Sequence, residues 1–159
     1  MIDLGRATVG LAVLSAALTG CSDARPCSDC PAVEGTYDMA YAEQSRLGSC
    51  AIAPPPAPAA LELTRVGSTV RVANPGLDLV GTLFDTWDFT LLGGHASDGG
   101  TPDGREVEDT ISARGHFVPP GADGGAAIRG TWDTSTLQTS AAGSSAECSV
   151  SLAFTGKRR

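Results

Sequence analysis

Positive charge, aromatic residues and long apolar runs are all scarce in this 159-residue chain. Its 11 Lys and Arg residues stand against 18 Asp and Glu residues, for a formal net charge of −7. That balance argues against nucleic acid as a partner, because phosphate binding needs a clustered basic surface. The one dense basic run, Lys157-Arg158-Arg159, is interpreted as a solvated segment. No apolar run reaches the roughly twenty residues of a membrane-spanning helix.

Large apolar side chains for a core are also few. Aromatic residues make up 5% of the chain, and from Val33 onward only about one residue in five is Leu, Ile, Val or Phe. This proportion is near the level at which disorder becomes plausible. The length suits one domain. We therefore expect a small folded domain that depends on covalent cross-links.

The sequence motifs of common enzyme classes are missing as well. There is no GxSxG nucleophile elbow, no HExxH, no GxxxxGK[ST] and no GxGxxG after a strand. His95 and His116 could each pair with a carboxylate, but we interpret both as solvated or structural. The acidic stretch 98–109 fails the calcium-loop pattern, because Gly100 and Pro102 occupy its third and fifth places. We expect no catalytic residues, no cofactor and no metal site.

The first apolar segment, residues 7–18, has the length of a signal-peptide core. It ends in Leu18-Thr19-Gly20-Cys21, which resembles the lipobox of bacterial lipoprotein precursors: an aliphatic residue, a small one, Gly or Ala, then Cys. The resemblance implies that residues 1–20 are a cleaved signal peptide and that the Cys21 sulfur receives a diacylglycerol. The alternative is ordinary signal cleavage after Ala17, with Cys21 as one more exported cysteine.

Lipidation at Cys21 would hold the protein on a membrane of the cell envelope, since two or more acyl chains anchor stably. In many double-membrane bacteria, Asp after the lipidated cysteine signals retention at the inner membrane. Ser22 stands there instead, which favours the outer membrane. The polar stretch 22–32, with its two prolines, is predicted to be a flexible tether. The predicted organisation is a signal peptide over 1–20, lipidated Cys and tether over 21–32, and one domain over 33–159.

Four further cysteines predict two disulfides, for which three pairings are possible. We favour Cys27–Cys30 together with Cys50–Cys148. Cys50 follows the first predicted strand and Cys148 opens the last, and these two strands are neighbours in a closed barrel. The Cys27-Ser28-Asp29-Cys30 motif could also serve redox or metal chemistry. However, prolines flank it and no strand precedes it, so a structural bridge is favoured.

Apolar and polar residues alternate with a period of two between Gly-, Pro- and Asp-rich breaks, which is typical of an all-β fold. About eight short strands follow the signal peptide, with no helical pattern. We predict a single small antiparallel meander barrel or a β-sandwich. The residues expected to face inward are Tyr37, Met39, Tyr41, Leu61, Leu63, Val70, Val72, Trp87, Phe89, Leu91, Ile111, Ala113, Phe117, Ile128, Trp132, Cys148, Val150, Leu152 and Phe154.

The strand that opens with Gly35-Thr36-Tyr37 resembles the Gly-x-Trp start of the lipocalin/calycin family, with Tyr in place of Trp. In that family the aromatic residue closes the barrel floor and a basic residue after the last strand packs across it. The resemblance gives this role to Lys157 or Arg158.

An eight-stranded barrel can hold one small ligand. Trp87, Trp132 and Tyr37 are the candidate residues to line such a site. We therefore expect a membrane-anchored binding or interaction module whose partner is a small hydrophobic ligand or an envelope protein. The alternatives are a purely structural envelope lipoprotein and an enzyme.

Overall fold

The structure, a computed structural model, describes residues 24–95, 104–121 and 125–159. The predicted signal peptide and Cys21 lie outside the described residues. Within these ranges the chain forms eight β-strands and no helix. The strands are β1 (Gly35–Gly48), β2 (Ala60–Val66), β3 (Thr69–Val72), β4 (Leu77–Leu83), β5 (Asp88–His95), β6 (Glu106–Val118), β7 (Ala127–Thr139) and β8 (Ser145–Arg158).

The eight strands form one closed antiparallel barrel in which each strand pairs with its sequence neighbours. β8 returns to β1, and their pairing runs from Tyr37 opposite Arg158 to Gly48 opposite Cys148. The predicted all-β fold is confirmed, and of the two architectures left open by the sequence the chain adopts the meander barrel.

The strands differ in length, and this difference shapes the molecule. β6, β7, β8 and β1 have 13 or 14 residues, whereas β2 to β5 have between 4 and 8. β1 pairs with β2 only from Gly35 to Asp38, so the rest of β1 extends past it. The four long strands therefore form a tall side, the long-strand wall. We name the end with Gly48 and Cys148 the distal end, and the opposite end the proximal end.

The barrel interior is filled by the residues that period-two alternation places on one face of each strand. Trp132, Tyr37, Phe117 and Leu79 are among the largest fully buried side chains. The remaining members of the apolar core include Leu61, Leu63, Val70, Leu83, Phe89, Leu91, Ile111, Ile128 and Phe154.

Trp87 is an exception to the predicted inward set, and the prediction that it shares a face with Phe89 and Leu91 is wrong. Trp87 precedes β5, has φ 64° and leaves 38% of its surface exposed. The Phe84 N–H donates to the Asp88 carbonyl, so a tight turn holds Trp87 and regular alternation begins only at Asp88.

Tyr37 and Arg158 close the proximal end of the barrel. The buried Tyr37 hydroxyl donates to the Val33 carbonyl at 2.7 Å, and the Arg158 guanidinium donates to the Ala32 carbonyl at 2.8 Å. The Arg158 side chain lies against Gly35, where an added Cβ atom would be 3.1 Å from the Arg158 Nε atom. Of the two basic residues suggested by the lipocalin resemblance, Arg158 occupies this position, while Lys157 is exposed.

The segment before β1 packs against the barrel over most of its length. The Cys27 N–H donates to the Leu83 carbonyl at 2.9 Å, and the Asp85 N–H donates to the Arg25 carbonyl at 3.0 Å. Cys27 is only 6% exposed and belongs to the apolar core. The prediction of a flexible tether over 22–32 is therefore wrong from Arg25 onward, because these hydrogen bonds and this burial fix the segment to β4 and the turn after it.

Both disulfides follow the pairing that the sequence favoured. Cys50 is bonded to Cys148 with a Cα–Cα distance of 5.7 Å, within the reach of a disulfide. Cys27 is bonded to Cys30 with a Cα–Cα distance of 5.4 Å. The first bridge lies at the distal end, and the second lies in the segment packed beside β4.

Candidate functional site

A proline-rich stretch between β1 and β2, residues 49–59, covers the inner face of the long-strand wall at the distal end; we name it the proline segment. Its first part is held by Gln138, which is buried on β7. The Gln138 Oε1 atom accepts the N–H groups of Ala51 at 3.0 Å and Ile52 at 3.3 Å, and its amide N–H donates to the Ile52 carbonyl. One side chain thus satisfies three backbone groups of the segment, next to the disulfide at Cys50.

The last part of the proline segment is fixed to β1. The Met39 N–H donates to the Ala59 carbonyl at 2.9 Å, and the Tyr41 hydroxyl donates to the Pro58 carbonyl at 3.1 Å. Burial raises the pKa of Tyr41, so the hydroxyl keeps its proton at neutral pH. Held at both ends and stiffened by its prolines, the segment forms a fixed cover.

Between this cover and the long-strand wall lies a cavity of about 380 Å³, which we name the distal cavity. A volume of this size is at the small end of the range found for small-molecule sites. Its barrel side is formed by Tyr41, Val150 and Leu152, with the Thr134 hydroxyl as a polar group, and its outer side by residues 53–57. The lining is largely apolar with few polar groups, as is usual for sites that bind small organic molecules.

The rim of the distal cavity carries one ion pair, Glu43 with Arg46, at 2.8 Å. A β-bulge between Glu43 and Ser45 shifts the register, so that Glu43 lies opposite Leu152 and Arg46 opposite Val150. Without the bulge, residues three apart on a strand would point to opposite faces. The hydrogen bond from Arg46 lowers the pKa of Glu43, which keeps the pair charged and the rim neutral overall at pH 7.

An aromatic cluster lies beneath the distal cavity. The Tyr41 ring meets Trp132 edge-on with centroids 6.3 Å apart and Phe154 with centroids 6.4 Å apart. Trp132 is 1% exposed, and its indole N–H donates to the Thr134 hydroxyl at 3.2 Å. A ligand in the cavity would therefore rest on Tyr41 and Thr134, both of which contact Trp132.

The three residues predicted to line a ligand site are not brought together. Trp132 supports the distal cavity from below, Tyr37 closes the proximal end, and Trp87 lies in an outer turn. The cavity is lined instead by Tyr41, by the Glu43–Arg46 pair and by the proline segment. Tyr41 was predicted to face inward, but nothing in the sequence pointed to the bulge or to the fold of residues 53–57.

Polar side chains replace apolar ones on the inner face of the long-strand wall near the distal end. Thr134, Thr136 and Gln138 are all buried there, and the Thr136 hydroxyl donates to the Asp109 carboxylate. Gln138 bonds the backbone of the proline segment, whereas the Thr134 hydroxyl accepts from the Trp132 indole. In the part of the chain that the structure describes, no three His, Cys, Asp or Glu side chains are grouped to hold a metal ion.

Among the described residues, no helix is long and apolar enough to cross a membrane. Comparison with known proteins gives no match: no family model, no curated protein and no solved structure is significantly similar to this chain.

Proposed function

We propose that this chain is a lipid-anchored, non-catalytic binding protein of the bacterial cell envelope, which takes a small, mainly apolar ligand into the distal cavity. The observation that carries the proposal is the cavity itself, which is preformed, largely apolar and bounded by a cover fixed at both ends. A preformed site loses little conformational entropy when it binds. The lipobox resemblance at Cys21 supports the anchor.

The chemistry of the lining narrows the class of ligand. The wall offers Tyr41, Leu152 and prolines to apolar surface, while the Thr134 hydroxyl can hydrogen-bond one polar group. The paired charges of Glu43 and Arg46 contribute no net charge at the rim. This combination favours an uncharged molecule with an apolar body and one hydrogen-bonding group.

Filling the distal cavity should abolish ligand binding. Ala57 lines the cavity, so Ala57→Phe would place a ring inside it, whereas Ala59→Phe adds the same ring at an exposed position two residues away. In a Trp87→Phe background Trp132 is the single tryptophan and reports on the cavity through Tyr41. We expect saturable emission changes with one or more members of a panel of small uncharged amphipathic compounds. Ala57→Phe should weaken the affinity for these compounds at least tenfold (about 1.4 kcal/mol).

The matched control should bind like the parent protein, because its added ring lies outside the cavity. Equal affinity in the Ala57→Phe and Ala59→Phe proteins would contradict a site in the distal cavity. A panel without any saturable response would favour the structural alternative, an envelope lipoprotein without a ligand.

Replacement of Cys21 tests the anchor directly. Cys21→Ser should give an unprocessed or misprocessed precursor that incorporates no palmitate analogue, because a hydroxyl does not replace the thiol in forming the thioether. Cys27→Ser is the matched control and should still be labelled and processed. Normal processing of Cys21→Ser together with an unlabelled wild-type protein would instead indicate ordinary signal cleavage.

A further inference from the structure

The proximal end of the barrel is bonded to Arg25, which is four residues after Cys21 in the sequence. Arg25 is hydrogen-bonded through its carbonyl to the Asp85 N–H, in the turn between β4 and β5. Four residues of chain span at most about 14 Å, so Cys21 can be no farther than that from Arg25, which is bonded to this turn. If Cys21 carries lipid, as the proposed function holds, the proximal end faces the membrane surface and the distal cavity faces away from it.

An exposed aromatic residue lies at this end, in an unusual conformation. Trp87 follows Asp85 in the same turn and has a φ of 64°, the one positive φ among the described residues other than glycine. Glycine or asparagine is the usual choice at such a position, since a bulky side chain is strained there. Val118, whose neighbour Phe117 donates its N–H to the Trp87 carbonyl, is also 37% exposed. Trp87 and Val118 are thus two exposed apolar side chains at the end of the barrel to which Arg25 is bonded.

Basic side chains lie beside this apolar pair on the outer face of the barrel. Arg129 is directly opposite His116 in the β6–β7 pairing, and Arg114 is opposite Thr131. Together they line a shallow depression of about 620 Å³. Strand geometry places Arg129 about 7 Å and Arg114 about 13 Å from the proximal ends of their strands.

The two arginines are available to bind an anion. Asp88 accepts from Thr86 at 2.7 Å and pairs with His116 at 2.9 Å, so this carboxylate is already engaged. Within residues 24–95, 104–121 and 125–159, no ion pair or side-chain hydrogen bond engages Arg114 or Arg129. Two cations side by side, with no partner among the described residues, are notable in a chain of net charge −7. The exposed Asp85 lies in the same turn as Trp87, and further acidic residues near the distal end include Glu106, Glu108 and Glu147.

We propose that the proximal end is a membrane-contact surface, in which Trp87 and Val118 enter the interfacial layer while Arg114 and Arg129 bind the phosphates of anionic phospholipids. Tryptophan favours the headgroup level of a bilayer, and arginine is well suited to phosphate. The contact would hold the barrel upright on its short anchor, with the distal cavity open to the surrounding compartment. This proposal rests on the anchor at Cys21 but not on the identity of the ligand.

The test uses the lipid-modified protein reconstituted on vesicles that contain anionic phospholipid and a headgroup-labelled quencher of tryptophan fluorescence. Wild-type emission should be quenched, and Trp87→Phe should remove that quenching, because the remaining Trp132 is buried in the barrel. Each basic residue at an anionic surface raises the contacting population roughly fivefold. The double variant Arg114→Gln/Arg129→Gln should therefore lower the membrane-contacting population on the order of 25-fold.

A charge-matched control separates a specific contact from general attraction. Ala141→Glu/Ala142→Glu makes the same change of two units in net charge at the exposed turn between β7 and β8, at the distal end, and should leave Trp87 quenching as in the wild type. The proposal would be overturned if wild-type emission were not quenched, or if Trp87→Phe were quenched as strongly as the wild type. It would also be overturned if both double variants lost quenching to the same extent. Failure of the anchor itself would show separately, as wild-type protein that incorporates no palmitate analogue.

Discussion

Removal of the Cys50–Cys148 disulfide is expected to destabilise the domain by about 4 to 5 kcal/mol. The bridge closes a loop with a sequence separation of 98. In the chain-entropy model, closing a loop of about 100 residues raises the free energy of the unfolded chain by about 4.7 kcal/mol. Small domains have a free energy of unfolding of only about 5 to 15 kcal/mol, so most of the margin would be lost. Urea denaturation of Cys50→Ala/Cys148→Ala against the wild type measures the difference.

The second disulfide is the natural comparison. Cys27→Ala/Cys30→Ala opens a loop with a separation of 3, for which the same model gives about 2 kcal/mol. Because Cys27 is buried in the core, this variant should lower the free energy of unfolding by more than the loss of a bridge in a free tether would. The decrease should still be smaller than that caused by loss of the Cys50–Cys148 bridge. A midpoint of unfolding that shifts as far as in Cys50→Ala/Cys148→Ala would show that the chain-entropy argument does not govern this barrel.

The local alternation of side chains could be predicted from the sequence, because the pleat of a strand turns successive residues to opposite faces. Tyr37, Phe117 and Ile128 are buried, as the alternation along their strands predicted. The closing pair of strands could be predicted as well, since an up-and-down barrel joins its first strand to its last. These inferences need only short stretches of sequence and a rule of topology.

The distal cavity could not be predicted in this way, because it depends on an irregularity and on long-range contacts. The bulge between Glu43 and Ser45 resets the alternation of β1, and no glycine in that stretch marks it. Gln138 holds residues 87 positions away in sequence, at Ala51, which no local pattern reveals. The buried side of β7 does carry a partial signal, since its inward positions change from apolar to polar at Thr134.

Trp87 was assigned to the wrong face because strand propensity and turn geometry conflict at that position. Trp87 is two residues from Phe89, so regular alternation would put both side chains on the same face, and tryptophan is common in strands. The backbone there is left-handed, a conformation that the sequence does not signal with a glycine. A residue that breaks a local rule in this way is often retained for a function, which is consistent with the membrane contact proposed for it.

Trp132 was correctly predicted to face inward, yet its surroundings give it a different role from the one expected. Trp132→Ala is expected to destabilise the domain by about 3 to 5 kcal/mol, the usual cost of emptying a buried aromatic site. The indole packs edge-on against Tyr41 and is 1% exposed, so its loss would leave a cavity beneath the distal cavity. Thermal denaturation of the variant measures the change in the free energy of unfolding.

The other tryptophan supplies a matched comparison. Trp87→Ala removes the same side chain from a turn where 38% of the residue is exposed and the left-handed backbone is strained, so its effect should be less than half as large. Added indole should raise the melting temperature of Trp132→Ala, because a molecule that binds only the folded state stabilises it by mass action. Indole should raise the melting temperature of Trp132→Ala more than that of Trp87→Ala at the same concentration, because only Trp132→Ala offers the additional site left by the missing side chain. Equal destabilisation by the two substitutions would mean that Trp132 contributes no more to the core than a surface residue.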